Sequence, residues 1–255
     1  MNDPHPQNAR PGILLITGAG RGIGAATALA AARAGRDIVL NYTRNEAAVA
    51  AVAESIRAMG RQATIIRADV SRSDEVREMF QEIDARVGPL HGLINNAGIT
   101  GPIGPFMDTR DEMIEQVFRV NVLGAMQCAR EALAGFRRHG VRGVIVNVSS
   151  IAARTGSPGE YVHYAASKAA IEAFTLGLAK EVAAEGIRVC GLAPGSTLTD
   201  IHAAAGEPDR PARVAPRIPM GRLAEPAEIA EAIVWLASPA ASYVTGTTLA
   251  CAGGL

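Results

Sequence analysis

Near the start of the 255-residue chain stands the run Gly12-Ile13-Leu14-Leu15-Ile16-Thr17-Gly18-Ala19-Gly20-Arg21-Gly22-Ile23-Gly24, followed by the alanine-rich residues 25–34. The first half is a short apolar run typical of a buried strand, and the glycines then lead into a helix. Glycine lets the backbone turn tightly and lets a diphosphate approach the amino terminus of a helix. Strand, glycine-rich turn and helix in this order predict a nucleotide site, which we favour over a purely structural turn.

Apolar and amphipathic segments alternate through the rest of the chain. Strands are predicted at residues 12–17, 37–42, 63–68, 92–95, 144–148, 187–192 and 247–250. Helices are predicted between them at residues 25–34, 45–59, 111–138, 160–182 and 225–237, with one more that is capped by Ser71 or Ser73 and ends at Val87. Strands that alternate with helices require crossover connections and a parallel sheet. The expected fold class is α/β, a single doubly wound Rossmann-type domain whose mostly parallel seven-stranded sheet carries helices on both faces.

Length and composition fit one large domain, expected at residues 11–255 after a flexible polar tail at residues 1–10. With 25 basic and 25 acidic residues the formal net charge is zero, which argues against a nucleic-acid or anionic-membrane partner. No apolar run approaches the length of a membrane span. Three cysteines without paired or metal-ligand spacing indicate reduced thiols in a cytoplasmic protein.

Tyr164 and Lys168 lie four residues apart in a predicted helix, and therefore on one face of it. A phenol has an ordinary pKa of about 10, and a neighbouring ammonium group lowers that pKa by favouring the phenolate. The pair therefore predicts a tuned acid/base group. Taken alone, an exposed Tyr–Lys pair on a helix surface is the commoner explanation of this spacing, so the interpretation depends on the rest of the chain.

Asparagines stand at two unusual positions. The run Asn95-Asn96-Ala97-Gly98 follows the fourth predicted strand, and ligands of parallel sheets bind beyond the carboxyl ends of strands. A structural turn is the alternative, since Asn and Gly favour turns. Asn121 lies inside a long predicted helix, where Asn is unfavourable unless it has a specific hydrogen-bonding role. Residues 200–220 lack clear periodicity and are interpreted as a lid.

Together these features resemble the short-chain dehydrogenase/reductases. The matching motifs, in the family's order and spacing, are the glycine-rich turn, Asn95-Asn96-Ala97-Gly98, Asn121, Ser150, Tyr164 with Lys168, Pro194-Gly195, Ile218-Pro219-Met220-Gly221-Arg222 and Tyr243-Val244-Thr245-Gly246. They extend over residues 12–254, nearly the whole chain.

The resemblance implies a role for each of four catalytic residues. Tyr164 would exchange a proton with the carbonyl or alcohol oxygen of the substrate, and Ser150 would hydrogen-bond that oxygen. Lys168 would lower the pKa of Tyr164 and hydrogen-bond the nicotinamide ribose, while Asn121 would hold a water that connects Lys168 to solvent. Ser149 remains an alternative to Ser150, because Tyr164 follows one residue later than is usual. No metal is expected, since no His/Cys/Asp cluster is available to bind one.

The cofactor is expected to be NADP(H), with NAD(H) as the alternative. The second strand ends in Tyr42 and lacks the carboxylate that usually accepts the ribose 2′-hydroxyl, whereas Arg21 and Arg44 can bind a 2′-phosphate. Asp37 opens that strand and would lie at the wrong edge of the sheet. The predicted cofactor-binding residues are Gly18, Gly20, Arg21, Gly22, Ile23, Gly24, Tyr42, Arg44, Asp69, Val70, Asn95, Ala97, Gly98, Tyr164, Lys168, Pro194, Gly195, Thr197 and Thr199.

The implied function is an NAD(P)(H)-dependent oxidoreductase that interconverts a carbonyl and a secondary alcohol. The alternative is a nucleotide-sensing protein of the same fold without chemistry, but such proteins generally lack the Tyr and Lys present here. Within the enzymes, a 3-oxoacyl-carrier reductase and a sugar or polyol dehydrogenase both fit, because substrate choice lies in loops near residues 101–107, 151–161 and 198–217. The resemblance also implies a homotetramer, with the helix at residues 111–138, the Tyr164 helix and the carboxyl-terminal segment at its interfaces.

Overall fold

The centre of the molecule is one sheet of seven parallel strands, in the order β3-β2-β1-β4-β5-β6-β7. The structure is a computed structural model that describes residues 12–255. The strands are β1 (Ile13–Ile16), β2 (Asp37–Tyr42), β3 (Ala63–Arg67), β4 (Leu90–Asn95), β5 (Val144–Val148), β6 (Arg188–Pro194) and β7 (Thr248–Cys251). The expected α/β class and doubly wound seven-stranded sheet are confirmed, and every strand pair is parallel. The tail predicted at residues 1–10 lies outside the described residues, and the domain boundary at residue 11 stays a prediction.

Helices connect the successive strands. The α-helices are α1 (Gly22–Arg33), α2 (Glu46–Ala58), α3 (Ser73–Arg86), α4 (Asp111–Phe118), α5 (Ala125–His139), α6 (Ala152–Thr155), α7 (Val162–Val182), α8 (Ile201–Ala204), α9 (Arg210–Val214) and α10 (Pro226–Leu236). A π-helical segment, Arg119–Gly124, joins α4 to α5 within the single long helix that the sequence predicts. Short 3₁₀ turns occupy Phe106–Asp108, Ala183–Glu185, Ala215–Arg217 and Pro239–Ala241.

Each face of the sheet has its own apolar core. Successive side chains of a strand point to opposite faces, so Leu14 and Ile16 of β1 pack with α1, α2 and α10. Leu15, between them, packs on the other face with α3, α5 and α7. Strands buried on both faces must be apolar at nearly every position, which explains why β1 appears in the sequence as an unbroken apolar run and why β5 is interrupted only by Asn147.

The predicted cap of α3 differs from the structure, while the interpretation of residues 200–220 as a lid stays a prediction. Neither serine caps α3, because the capping position belongs to Arg72 and Ser73 is the first helical residue. The Ser71 hydroxyl instead donates to Asp69 Oδ1 at 2.7 Å, so its hydrogen bond lies within the turn after β3. The segment at residues 200–220 contains α8, α9 and a 3₁₀ turn, each too short to produce a periodic sequence pattern.

The sheet topology determines where a ligand can enter. Strand β1 lies between β2 and β4, so the chain leaves β1 to one side and later returns on the other side. Crevices form at such a switch point, beyond the carboxyl ends of the strands. The glycine-rich turn after β1 and the Asn95–Gly98 run after β4 meet there. Within residues 12–255, no helix is both long and apolar enough to cross a membrane.

Candidate active site

A cavity of about 1160 Å³ opens at the carboxyl edge of the sheet. Its walls come from the turns that follow β1 to β6, from the start of α7 and from α9. Every residue predicted for the site lines this cavity except Asn95 and Asn121. The sequence motifs, far apart along the chain, are therefore brought to one place.

The glycine-rich turn forms a cradle that side chains would fill. Gly18 and Gly22 have φ angles of +65° and +54°, a left-handed backbone region that favours glycine. A Cβ atom on Gly24 would lie 2.4 Å from Gly18 O. Helix α1 begins within this stretch, at Gly22, and its capping residue Arg21 provides no side-chain hydrogen bond to the first amide groups. Those amides fit the diphosphate of a dinucleotide, which binds at helix amino termini.

Asn96 fixes the shape of this cradle, and the sequence prediction did not include it among the site residues. Its Nδ2 donates to Thr17 O at 2.9 Å and to Gly18 O at 3.1 Å. In return, Thr17 Oγ1 accepts from the backbone amides of Asn96 and Ala97, both at 3.0 Å. The turns after β1 and β4 are thus joined by four hydrogen bonds. Asn96 stands in the same motif as Asn95, so the signal was present in the sequence.

Asn95, predicted to bind cofactor, lies behind the cavity wall. Its Nδ2 donates to Ala125 O at 3.1 Å and to Asn147 Oδ1 at 2.9 Å. Asn147 in turn donates to Thr175 Oγ1 at 2.9 Å, which connects β4, β5 and α7. The side chain of Asn95 is therefore part of a buried polar ladder between strands and helices and does not face a ligand.

Tyr164 and Lys168 lie in the first turns of α7, and both side chains are buried. Lys168 Nζ donates to Val148 O at 2.8 Å and lies 5.7 Å from the centroid of the Tyr164 ring. An ammonium group has three N–H donors, so two remain for other acceptors. A Cβ atom on Gly98 would lie 3.4 Å from Nζ, which shows that glycine at this position keeps the space beside the ammonium group open.

Burial shifts the pKa of both groups. It raises the pKa of Tyr164 to about 12, whereas a hydrogen bond with Ser150 and the positive charge of Arg210 act in the opposite direction. Burial lowers the pKa of Lys168 to about 8. The net shift of Tyr164 is opposite to the lowering that the sequence predicts. The reason is that loss of hydration disfavours the phenolate more than nearby groups favour it.

The two serines after β5 have different surroundings. Ser150 Oγ accepts from the Ala152 amide at 3.1 Å, and Ser150 is the serine whose interaction with the Tyr164 phenol lowers the pKa of that phenol. Ser149 Oγ lies 3.2 Å from Lys168 O and 3.1 Å from Glu172 Oε1. Ser150 is therefore the serine that meets the phenol, while Ser149 bonds to α7 further along the helix.

Asn121 has the specific hydrogen-bonding role that its helical position predicts. It lies buried in the π-helical segment, where its Oδ1 accepts from Ile99 N and its Nδ2 donates to Ile99 O, both at 2.9 Å. The same Nδ2 donates to Ser167 Oγ at 3.0 Å. Asn121 thereby fastens the loop after β4 to α7, and its use in holding a water for Lys168 stays a prediction.

The far end of the cavity is lined by residues 42–45, none of which is acidic. Arg44 is exposed there, and Arg67, which pairs with Tyr42 in the sheet, donates to Thr43 O at 3.2 Å. Arg67 is a further cation near Tyr42 that the sequence prediction did not include, and it lies outside the cavity lining. Asp37 lies at the opposite edge of the sheet as expected, paired with Ile13 and accepting from Gln62 N.

A family model described as enoyl-(acyl carrier protein) reductase matches residues 18–255. A solved structure of a short-chain type dehydrogenase/reductase from Mycobacterium marinum is 33% identical, with a TM-score of 0.90 over 95% of this chain and 94% of that chain. The chain belongs to the short-chain dehydrogenase/reductase family. The resemblance inferred from the motifs is confirmed, and the protein is a member of an oxidoreductase family.

Two sequence relatives in this family cover almost the whole chain. The uncharacterized oxidoreductase YgfF of Escherichia coli strain K12 is 47% identical over 244 residues, which are 95% of this chain and 99% of that protein. A 3-oxoacyl-[acyl-carrier-protein] reductase, FabG of Staphylococcus epidermidis, is 35% identical over 241 residues, which are 94% of this chain and 97% of that protein. The similarity to both relatives therefore extends over nearly the whole chain.

Proposed function

We propose that this short-chain dehydrogenase/reductase interconverts a carbonyl and a secondary alcohol, with NADP(H) as the hydride carrier and Tyr164 as the general acid/base. The observation that carries the proposal is the meeting of Ser150, Tyr164 and Lys168 in one buried corner of a cavity whose other end is the glycine cradle. A protein that only senses nucleotides would have no use for a buried phenol and ammonium group beside its ligand.

Each side chain of the site has a separate role in the proposed reaction. NADP(H), when bound, supplies or accepts the hydride. For reduction, Tyr164 gives its phenolic proton to the substrate oxygen, and Ser150 hydrogen-bonds the same oxygen. Because burial holds the pKa of Tyr164 near 12, the phenol carries its proton at neutral pH, as this direction requires. The two remaining N–H groups of Lys168 are available to the nicotinamide ribose and to the water that we assign to Asn121.

The assay for this function is the absorbance change of NADPH or NADP⁺ with a panel of carbonyl compounds and alcohols. The name of the FabG relative supports 3-oxoacyl thioesters as the first class to test, and sugars and polyols form the second class. Turnover of at least one class is expected. Cofactor binding without turnover of any compound would favour the nucleotide-sensing alternative.

Arg21 and Arg44 are expected to make the enzyme prefer NADPH. The double variant Arg21→Ala with Arg44→Ala should reduce the ratio of kcat/KM for NADPH to that for NADH by about 10–100-fold, because hydrogen bonds to charged groups contribute about 1.5–3 kcal/mol. The measurement compares both cofactors with one substrate. Arg77→Ala, at an exposed position of α3 outside the cavity lining, is the control. A wild type that prefers NADH, or a double variant that keeps the NADPH preference, would contradict the proposal.

We also propose a homotetramer in the cytoplasm. Large exposed apolar side chains stand on the elements expected at the interfaces, namely Leu123, Leu176, Trp235, Tyr243 and Leu249. Such side chains mark association surfaces when they form patches. Three free cysteines, two of them buried, support a reducing compartment.

Light scattering of the wild type should give four times the chain mass of 26.5 kDa. Leu176→Glu on α7 should lower this mass, because a charge at a buried interface costs desolvation energy. Met59→Glu, at a similarly exposed apolar residue after α2, should leave the mass unchanged. A wild-type mass of one chain would rule out the assembly.

A further inference from the structure

Three segments meet beside the start of the catalytic helix. The loop after β4 donates from Gly104 N to Glu160 O at 2.8 Å and from Ile103 N to Ala205 O at 3.2 Å. Glu160 precedes α7, and Ala205 belongs to the lid, residues 200–220. The lid is therefore joined through one loop to the segment that leads into Tyr164.

Charged side chains fasten the same junction. Glu160 Oε2 accepts from Arg210 Nη2 at 2.6 Å, and Glu160 Oε1 accepts from Arg213 Nη1 at 3.0 Å. Both arginines lie on α9 of the lid, and Arg210 is only 6% exposed. Burial raises the pKa of Glu160, but hydrogen bonds and charges from Arg210 and Arg213 outweigh it and leave the pKa below its ordinary value. Glu160 is therefore ionised at neutral pH and holds the lid by charge.

The guanidinium group of Arg210 also contacts the aromatic residues of the site. Its Cζ lies 5.4 Å from the centroid of the Tyr161 ring, within the range of a cation–π interaction. The Tyr161 ring meets the Tyr164 ring edge to face, with centroids 5.2 Å apart and planes at 86°. Contacts thus run without a gap from the lid through Arg210 and Tyr161 to the catalytic phenol.

We propose that Arg210 is a positioning residue, which acts from the lid through Glu160 and the Tyr161 ring to orient the Tyr164 phenol for proton transfer. The inference rests on the proposed function of Tyr164. A lid that is closed places the guanidinium group over Tyr161, so the phenol is held in place only while the lid covers the cavity. The positive charge of Arg210 also favours the phenolate, against the effect of burial.

A purely structural ion pair would behave differently. It would hold the lid and affect stability or KM, but it would not alter how the reaction depends on pH. The groups that face the Tyr164 phenol or ring are Ser150 after β5, Tyr161 just before α7, Lys168 on α7, and Arg210 on α9. Of these, only Arg210 comes from the lid, so its replacement isolates the contribution of the lid.

The test compares Arg210→Met, Arg210→Lys and Tyr161→Leu with the wild type. Arg210→Met keeps most of the side-chain length and should lower kcat at least about tenfold, while the Kd of NADPH stays within about twofold. The rate of alcohol oxidation rises with pH as the phenol ionises, and loss of the positive charge should displace this profile to higher pH. Arg210→Lys should restore the profile and part of kcat. Tyr161→Leu, which breaks the ring contact but keeps the Arg210 charge, should lower kcat and displace the profile to lower pH, opposite to Arg210→Met, because Tyr161 raises the pKa of Tyr164.

Arg137→Met is the matched control, because it breaks an exposed Arg–Glu pair of 2.7 Å at the end of α5, at the edge of the sheet opposite the cavity. It should change neither kcat nor the pH profile. A wild-type kcat and a wild-type pH profile in Arg210→Met would overturn the inference. So would a second result, in which Arg210→Met and Arg210→Lys lose kcat equally and neither displaces the pH profile. If Arg210→Met does not fold, wild-type kcat in Tyr161→Leu overturns it. Activity that survives Tyr164→Phe would instead refute the proposed function.

Discussion

Replacing Tyr164 with Phe is expected to lower kcat by about 10²–10⁴-fold, the usual contribution of a general acid/base. Phe keeps the ring, so the edge-to-face contact with Tyr161 at 5.2 Å and the neighbourhood of the Lys168 ammonium group are retained. What is lost is the transferable proton. Steady-state kcat, together with the Kd of NADPH from a fluorescence titration, separates this loss from any loss of binding.

Tyr243→Phe provides the matched control for that substitution. It removes a phenolic hydroxyl outside the cavity lining, from a residue that is exposed in the single chain and lies on the proposed tetramer surface; Phe keeps the apolar ring there, so kcat should stay unchanged. Tyr164→Phe should bind NADPH as the wild type does. Near-normal turnover in Tyr164→Phe would show that the buried phenol is not the proton donor.

Replacing Lys168 with Met should weaken the cofactor and slow the reaction together. Met keeps an apolar stem in the buried site but removes the ammonium group, whose charge-assisted hydrogen bonds are worth about 1.5–3 kcal/mol each. The Kd of NADPH should therefore rise by about 10–100-fold. At saturating cofactor, kcat should fall by about 10²-fold or more because the ammonium group no longer assists proton transfer. Lys180→Met, at an exposed position of α7 about three turns after Lys168, should change neither the Kd nor kcat.

The pH dependence of cofactor binding gives a second measure of Lys168. Burial lowers the pKa of Lys168 to about 8. An amine with a lowered pKa is charged below that value and neutral above it, so the free wild-type enzyme should lose affinity for NADPH as the pH rises through about 8. Lys168→Met should lose this dependence. An unchanged Kd in Lys168→Met, or a wild-type affinity that does not vary with pH, would contradict the assigned role.

Local sequence patterns were sufficient for most of the fold. Strands β2 and β5 have the predicted bounds, because an apolar run between turn residues is enough to define a buried parallel strand. Asn121 was recognised as unusual because the cost of Asn inside a helix is a local property. In each of these cases the physical cause lies within a few residues of the position concerned.

The details that the sequence did not reveal depend on tertiary structure. Asn95 and Asn96 are adjacent and chemically identical, and only the end of β4 determines that one is buried and the other holds the cradle. The raised pKa of Tyr164 follows from burial of the phenol, and the four-residue spacing between Tyr164 and Lys168 does not reveal how deeply the phenol is buried. Arg210 stands in a segment without periodicity, and its contact with Tyr161 arises only when the lid packs against α7.

The polar ladder behind the cavity has a consequence for how this scaffold tolerates change. Asn95, Asn147 and Thr175 connect β4, β5 and α7 through side-chain hydrogen bonds in a buried region, and Thr175 continues to Ile171 O at 2.7 Å. If β5 slipped by one residue, these groups would lose their partners away from water, so the ladder permits one alignment only. Helix α7 is thereby aligned with the sheet independently of the loops at the cavity mouth. Those loops can lengthen, shorten or exchange residues without displacing Tyr164 and Lys168 on the helix beneath them.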